Sequence, residues 1–246
     1  MSEERVDVVI PLSNESCSNN DELRICLRSI DKYAEDVGRV IICTTADVPW
    51  LSGNVDILAI PDSERHLKDA NLIHKVLTAI EQKSITGKFA FFSDDQCILK
   101  SLRLAELPPI YNNRSKEHFN KTTASRWQNR LLNTFNFLEN RGIKLTHNYE
   151  SHTPQVYEAP KVIKAMTNIN YRIQPGFTIN TLFMGLIGIT GGVIQNKMKV
   201  TLENEKDSID NLPLDKYFCG YKDEGFQSGL RELLFKEFSN PCKYEK

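Results

Sequence analysis

Two adjacent carboxylates, Asp94 and Asp95, close the apolar run Phe89-Ala-Phe-Phe-Ser93, and a second apolar stretch begins at Cys97. Side-by-side carboxylates repel each other unless a cation sits close by. Hard divalent ions such as magnesium or manganese take carboxylate oxygens, so the pair suits a metal that carries a phosphorylated ligand. The plain alternative is a solvated Asp-Asp turn at a strand end. His152, in Tyr149-Glu-Ser-His-Thr-Pro154, could add a third metal ligand or a proton-transfer group. The proline after Thr153 disfavours helix and predicts an extended segment, on which Glu150 and His152 share a face. A single histidine is more often structural, and His66, His74, His118 and His147 show no spacing that makes a zinc site.

Cationic and amide groups lie elsewhere in the first hundred residues. Lys68-Asp-Ala-Asn71 opens a helix, with Lys75 one turn on. Lys68 could meet a phosphate as a point charge and Asn71 a base or a sugar hydroxyl; a helix cap with an exposed lysine is the structural alternative. The segment 112–144 is locally basic: Arg114, Lys116, Lys121, Arg126 and Arg130 are interleaved with Tyr111, Phe119 and Trp127. Such a pattern could contact the phosphates of a polymer, or could be a solvated helix face. Neither a G-x-G-x-x-G nor a G-x-x-x-x-G-K-[ST] motif is present, so neither a dinucleotide oxidoreductase nor a P-loop enzyme is supported.

The elements that must position these groups follow from periodicity. Arg5–Pro11, Val40–Thr44, Asp56–Ile60 and Phe89–Ser93 are short apolar runs and read as strands; Pro11 ends the first. Asp21–Ala34 and Asp69–Gln82 repeat apolar residues at helical spacing, the first with Asn19 or Asn20 as its cap. The order β-α-β-β-α-β predicts a mostly parallel, Rossmann-like sheet flanked by helices. Loops after parallel strands gather on one edge. That brings Pro11, Ser13, Asn14, Thr44, Asp62 and the Asp pair together. Further on, Arg126–Arg141 is an amphipathic helix stopped by Gly142, and Pro160–Met166 is a short one. Phe177–Gly191 is buried strand or helix, and Gly225–Phe238 is a last helix.

The chain has 246 residues, 40% of them hydrophobic and 26% charged, with a net charge of −1. Nothing global demands nucleic acid or an anionic membrane. Six scattered cysteines without a C-x-x-C predict free thiols and a reducing compartment. No signal peptide and no confident membrane span are read, which predicts a cytoplasmic protein without a membrane partner. One compact fold is expected, with residues 1–100 as a nucleotide-type half and 101–246 as an acceptor half. The sequence carries no signal for an oligomeric state.

Several blocks carry a resemblance. Asn20-Asp-Glu-Leu-Arg24, Leu27-Arg-Ser-Ile30, Lys32-Tyr-Ala34, Val40-Ile-Ile42 and Val48-Pro-Trp-Leu51 resemble Stealth-type and related GT-A-like sugar transferases. Ser93-Asp-Asp95 stands where that family has Asn-Asp-Asp. Lys68-Asp-Ala-Asn71 to Lys75, together with the terminal Phe238-Ser-Asn-Pro-Cys-Lys-Tyr-Glu245, is similar to a shorter bacterial and phage glycosyltransferase branch. The likeness covers about residues 6–100 and continues patchily beyond them.

The resemblance implies a GT-A-like α/β fold with a C-terminal acceptor-side α/β extension, and a metal-dependent glycosyltransferase using a nucleotide-sugar donor. Asp94, Asp95 and His152 would hold manganese or magnesium. Pro11, Ser13, Asn14, Arg24, Asp62, Lys68, Asn71, Lys75 and Asp94 would bind the donor. Asp95, His152 and Asp223 are the candidate catalytic groups, Asp223 as base. Arg114, Lys121, Arg126, Trp127 and Arg130 would meet a polymer acceptor, either a glycan or a hydroxymethylated base in phage DNA inside the host cytoplasm. The alternatives are transfer of a sugar phosphate to a glycan and a sugar-nucleotide-binding module without catalysis, to which Ser93 lends some support.

Overall fold

The structure, a computed structural model, describes residues 4–14, 18–63, 68–119, 125–202, 215–221 and 226–246. Asp223 and Lys121 lie outside the described residues. The chain begins β1 (Val6–Pro11), α1 (Asp21–Tyr33), β2 (Val37–Cys43), β3 (Val55–Leu58), α2 (Lys68–Glu81) and β4 (Lys88–Phe91). It continues through β5 (Gln96–Ile98), β6 (Ile110–Tyr111), α3 (Arg126–Glu139), β7 (Gln155–Glu158), α4 (Ala159–Met166) and α5 (Ile179–Leu186). Then follow β8 (Val193–Ile194), α6 (Gln195–Met198), β9 (Lys199–Leu202), β10 (Phe218–Tyr221) and α7 (Arg231–Glu237).

The protein is α/β, with a mixed, mostly parallel central sheet in the order β3-β2-β1-β4-β7. β1 is parallel to both β2 and β4, β2 is parallel to β3, and only β7 runs antiparallel. Alternation along β1 explains its unbroken apolar sequence. Val9 points into a core built with α2, α4 and α5 (Ile73, Val76, Val162, Leu182). Val8 and Ile10 point to the other face, against Leu23, Cys26, Leu27 and Ile30 of α1. A strand buried on both faces needs apolar residues at every position.

The strand order reverses at β1. The chain passes from β1 through α1 to β2 on one side, then returns through α2 to β4 on the other. The crevice outside the carboxyl ends of β1 and β4 is therefore the topological switch point, where open α/β sheets bind ligands. Asp94 and Asp95 follow β4 into that crevice, and Pro11 and Ser13 enter it from β1.

Two smaller sheets complete the structure, β5-β10-β9 and β6-β8. The later half supplies β7 to the central sheet and pairs β10 with β5, so residues 1–100 and 101–246 share sheets. In the β5–β10 pair Cys97 stands opposite Cys219, and the two form a disulfide. That corrects the expectation of free thiols throughout; Cys26, Cys43 and Cys242 are free. The undecided run 177–191 is helical at Ile179–Leu186. Asn20 occupies the N-cap position of α1 without a side-chain cap bond, because its backbone is left-handed. Among the described residues no helix is long and apolar enough to cross a membrane.

The last residues strap the first helix. Arg28 of α1 donates from Nε and Nη2 to the two carboxylate oxygens of Glu245, at 2.6 and 2.9 Å, and from Nη1 to the Phe238 carbonyl at 2.6 Å. Leu51 and Glu245 form an antiparallel bridge beside them.

Candidate functional site

The switch point opens into a cleft of about 1110 Å³. Its floor is the strand-end loop 92–96; α2 supplies one wall, and α3 with the start of α5 supplies another. Of the expected residues, Pro11, Ser13, Asp62, Lys68, Asn71, Lys75, Asp94, Asp95, Arg126, Trp127, Arg130 and His152 line it. Asn14, Arg24 and Arg114 do not.

Asp95, in the loop between β4 and β5, and His152, just ahead of β7, meet in the cleft. His152 Nε2 lies 3.2 Å from Asp95 Oδ2. The contact is an ion-pair distance without hydrogen-bond alignment: His152 Nε2 and Asp95 Oδ1 are both buried with no hydrogen-bond partner among the described residues. Burial pushes the Asp95 carboxyl up, but the charges of His152 and Lys68 outweigh it and hold the group below the usual carboxylate range.

His152 is not extended, as Thr153-Pro154 had predicted. Its φ is 54°, in the left-handed region, and residues 148–154 form no strand. A non-glycine residue there costs on the order of 1 kcal/mol and persists only when its surroundings hold it. The surroundings are identifiable. Lys199 Nζ donates to the Ser151 carbonyl at 3.1 Å, and Ser151 and Thr153 join their hydroxyls at 2.6 Å. Gln155 Nε2 donates to Ser151 Oγ at 3.0 Å, and the ring itself rests on Gly220 of β10. Burial pushes the Lys199 ammonium down to about 8, against the pull of Asp95.

On the α2 side, Lys75 is fully buried. Its Nζ donates to the Leu12 carbonyl at 2.6 Å and sits 2.8 Å from Asp62 Oδ1. It ties the end of β1 to the loop after β3, so much of its donor capacity is already used. Asn71 Oδ1 accepts from the Ser63 N–H at 3.0 Å and shapes the same rim. Lys68, at the head of α2, is exposed on the cleft. Asn14 locks two loops, donating to Thr45 Oγ1 at 2.8 Å. Arg24 is engaged elsewhere, 3.4 Å from Glu245 and stacked over Trp50 at 4.5 Å from the ring centroid. Arg114 is exposed beyond the cleft.

Two cations of the basic segment are ion-paired within the fold, and a third lies over an aromatic ring. Arg130 Nε sits 2.6 Å from Asp69 Oδ2, Lys116 sits 2.7 Å from Glu139, and Arg141 lies over Phe137. Trp127 reaches the cleft with its edge against Phe119, 6.0 Å between centroids.

Sequence reasoning gave little weight to the carboxylates at the start of α5. Thr181 N–H donates to Glu150 Oε1 at 2.7 Å, and Asn180 Nδ2 donates to Oε2 at 3.3 Å. Tyr157 OH donates to Asn180 Oδ1 at 2.8 Å. Burial, reinforced by the charge of Asp69, pushes Glu150 up to about 7 against the Thr181 N–H bond. Asp69 is also pushed up by burial, opposed by Arg130 and by an N–H bond from Ile179. The available signal was Asn180, an amide inside an otherwise apolar run.

Among the described residues no three His, Cys, Asp or Glu side chains converge as a metal-holding group, so Asp94, Asp95 and His152 are not a three-ligand cage. Two cleft carboxylates, one of them with an unpartnered buried oxygen, still fit an ion such as magnesium, which takes one or two carboxylates and completes its shell with water and substrate phosphates. His152 then stands beside Asp95, its Nε2 3.2 Å from Oδ2. No family model matches the chain, and no curated protein matches it.

Proposed function

We propose that the cleft binds a nucleotide-activated sugar on a GT-A-like arrangement and transfers the sugar to a hydroxyl acceptor. The observation that supports this best is Asp95, whose Oδ1 is buried without a partner at the strand-order reversal between β1 and β4. Asp94 and Asp95 would hold magnesium or manganese, which supplies positive charge to a bound diphosphate and to the leaving nucleotide. His152 balances and orients Asp95 at 3.2 Å. Lys68 adds a cation on the cleft side of α2. The Lys75–Asp62 pair keeps the loops after β1 and β3 in register with the pocket.

For the acceptor, a saccharide fits better than a base in DNA. Arg130 and Lys116 are ion-paired within the fold, and the feature that favours a saccharide is the lining around Trp127. Trp127 offers an apolar ring face or edge beside Asp69, Glu150, Asn180 and Asn112, a mixture that suits a polyhydroxylated ring.

Calorimetry with UDP-glucose, UDP-N-acetylglucosamine and GDP-mannose, with and without manganese, tests the reading. Manganese-dependent binding of one donor, lost in Asp95→Asn, is the expected result. Equal binding by wild type and Asp95→Asn rejects the role of the Asp pair; no binding of any donor rejects the function.

A further inference from the structure

Three carboxylates of the cleft each face a cationic or imidazole side chain. Asp62 faces Lys75 at 2.8 Å, Asp69 faces Arg130 at 2.6 Å and Asp95 faces His152 at 3.2 Å. Glu150, in the same cleft, has no ion-pair partner among the described residues. Arg130, another cation of this cleft, is committed to Asp69. Neutral donors hold Glu150 in place: the Thr181 N–H and the Asn180 amide, with the Thr178 and Thr181 hydroxyls beside them. A buried carboxylate without a counter-ion is costly to keep, and such groups concentrate where chemistry needs them.

We propose that Glu150 is the proton acceptor for the attacking hydroxyl, an assignment that rests on the transfer reaction proposed above. The acceptor O–H would lie against the Glu150 carboxylate as the new C–O bond forms at the anomeric carbon. The bond from that carbon to the diphosphate oxygen breaks, and its electron pair leaves with the nucleotide. The hydroxyl proton passes to Glu150 and then to solvent. Thr181 and Asn180 fix the carboxylate before the substrate arrives, so little reorganisation remains for the reaction itself.

The test uses Glu150→Gln in the full chain. The amide oxygen can still accept from Thr181 N–H, while the proton acceptor is gone. Nucleotide release from UDP-glucose, UDP-N-acetylglucosamine and GDP-mannose with manganese is measured beside donor affinity and melting temperature. The expected result is turnover lower by about 100-fold, donor affinity within about twofold, and a melting temperature at or above that of wild type. Wild-type turnover in Glu150→Gln overturns the assignment and leaves the donor reading standing. Unfolding of both Glu150→Gln and Glu150→Asp makes the residue a structural cap of α5 and also overturns it. If wild type binds none of the three donors, the function itself falls and the assignment with it.

Discussion

Gly220 is the floor on which the His152 ring rests: a Cβ at Gly220 would stand 2.7 Å from ring Cδ2 and 3.3 Å from Nε2. Ordinary carbon–carbon contact is about 3.5–4.0 Å, so only glycine lets the imidazole reach Asp95 from this side. Gly220→Ala is expected to displace the ring and to cost about 1–3 kcal/mol by overpacking. In a His152→Ala background the same change should cost little, because nothing remains to collide with. Urea unfolding of the single and double variants measures this coupling. Equal costs in both backgrounds would sink the claim.

Arg130 neutralises Asp69 at 2.6 Å inside the cleft wall. Arg130→Met leaves a buried carboxylate without its cation and is expected to lower stability by about 3 kcal/mol at pH 7. Arg130→Lys should recover only part, since an ammonium cannot reproduce the planar guanidinium. The loss should shrink in acid, where Asp69 protonates and no longer needs a partner. Chemical denaturation at pH 7 and pH 4 checks both statements.

Glu150 gives stability a slope of known sign. Its folded pKa, raised to about 7 from an ordinary 4.5, makes the protonated form the favoured one in the fold. The contribution is complete below the unfolded value and is lost as pH rises through about 7. Asp69 and Tyr157, which face Glu150, add no compensating positive charge. Glu150→Gln is therefore expected to melt above wild type at pH 8 and to lose the advantage below pH 4.5. Thermal melts across this range measure it, and parallel curves for the two proteins would refute it.

Much of the central sheet was legible because it is local chemistry repeated. The four apolar runs of the first hundred residues became β1 to β4 with boundaries moved by only a few residues, and Gly142, with φ of 76°, stands just past α3 as expected. The Asp pair was legible for the same reason: a carboxylate doublet at the end of a doubly buried strand has few places to go but the sheet edge. The geometry of residues 148–154 was not legible. Local preference before Pro154 favours extended backbone, whereas the left-handed turn at His152 is held by Lys199 and Gly220, distant in sequence on β9 and β10, together with the neighbouring Gln155. Arg24 misled because its real neighbour, Glu245, lies at the other end of the chain. The Cys97–Cys219 pairing depends on β5 meeting β10, a contact across 122 residues that no spacing rule encodes.

The Arg28–Glu245 contact predicts a strong effect far from the cleft. Glu245→Ala removes both carboxylate oxygens from a buried guanidinium and is expected to lower stability by about 3 kcal/mol. Glu245→Gln keeps one acceptor and should lose less. Equilibrium unfolding in urea decides; a loss below about 1 kcal/mol, the range of exposed pairs, would reduce the strap to a surface salt bridge.

That strap also sets an order of events during synthesis. Arg28 leaves the ribosome 217 residues before the carboxylate that answers it. Until then the outer side of the first helix carries an unanswered positive charge, and the nascent sheet beneath it waits on a clasp not yet made. Helix α1 is thus fully secured only once the segment from Phe238 to Glu245, more than two hundred positions later, is in place.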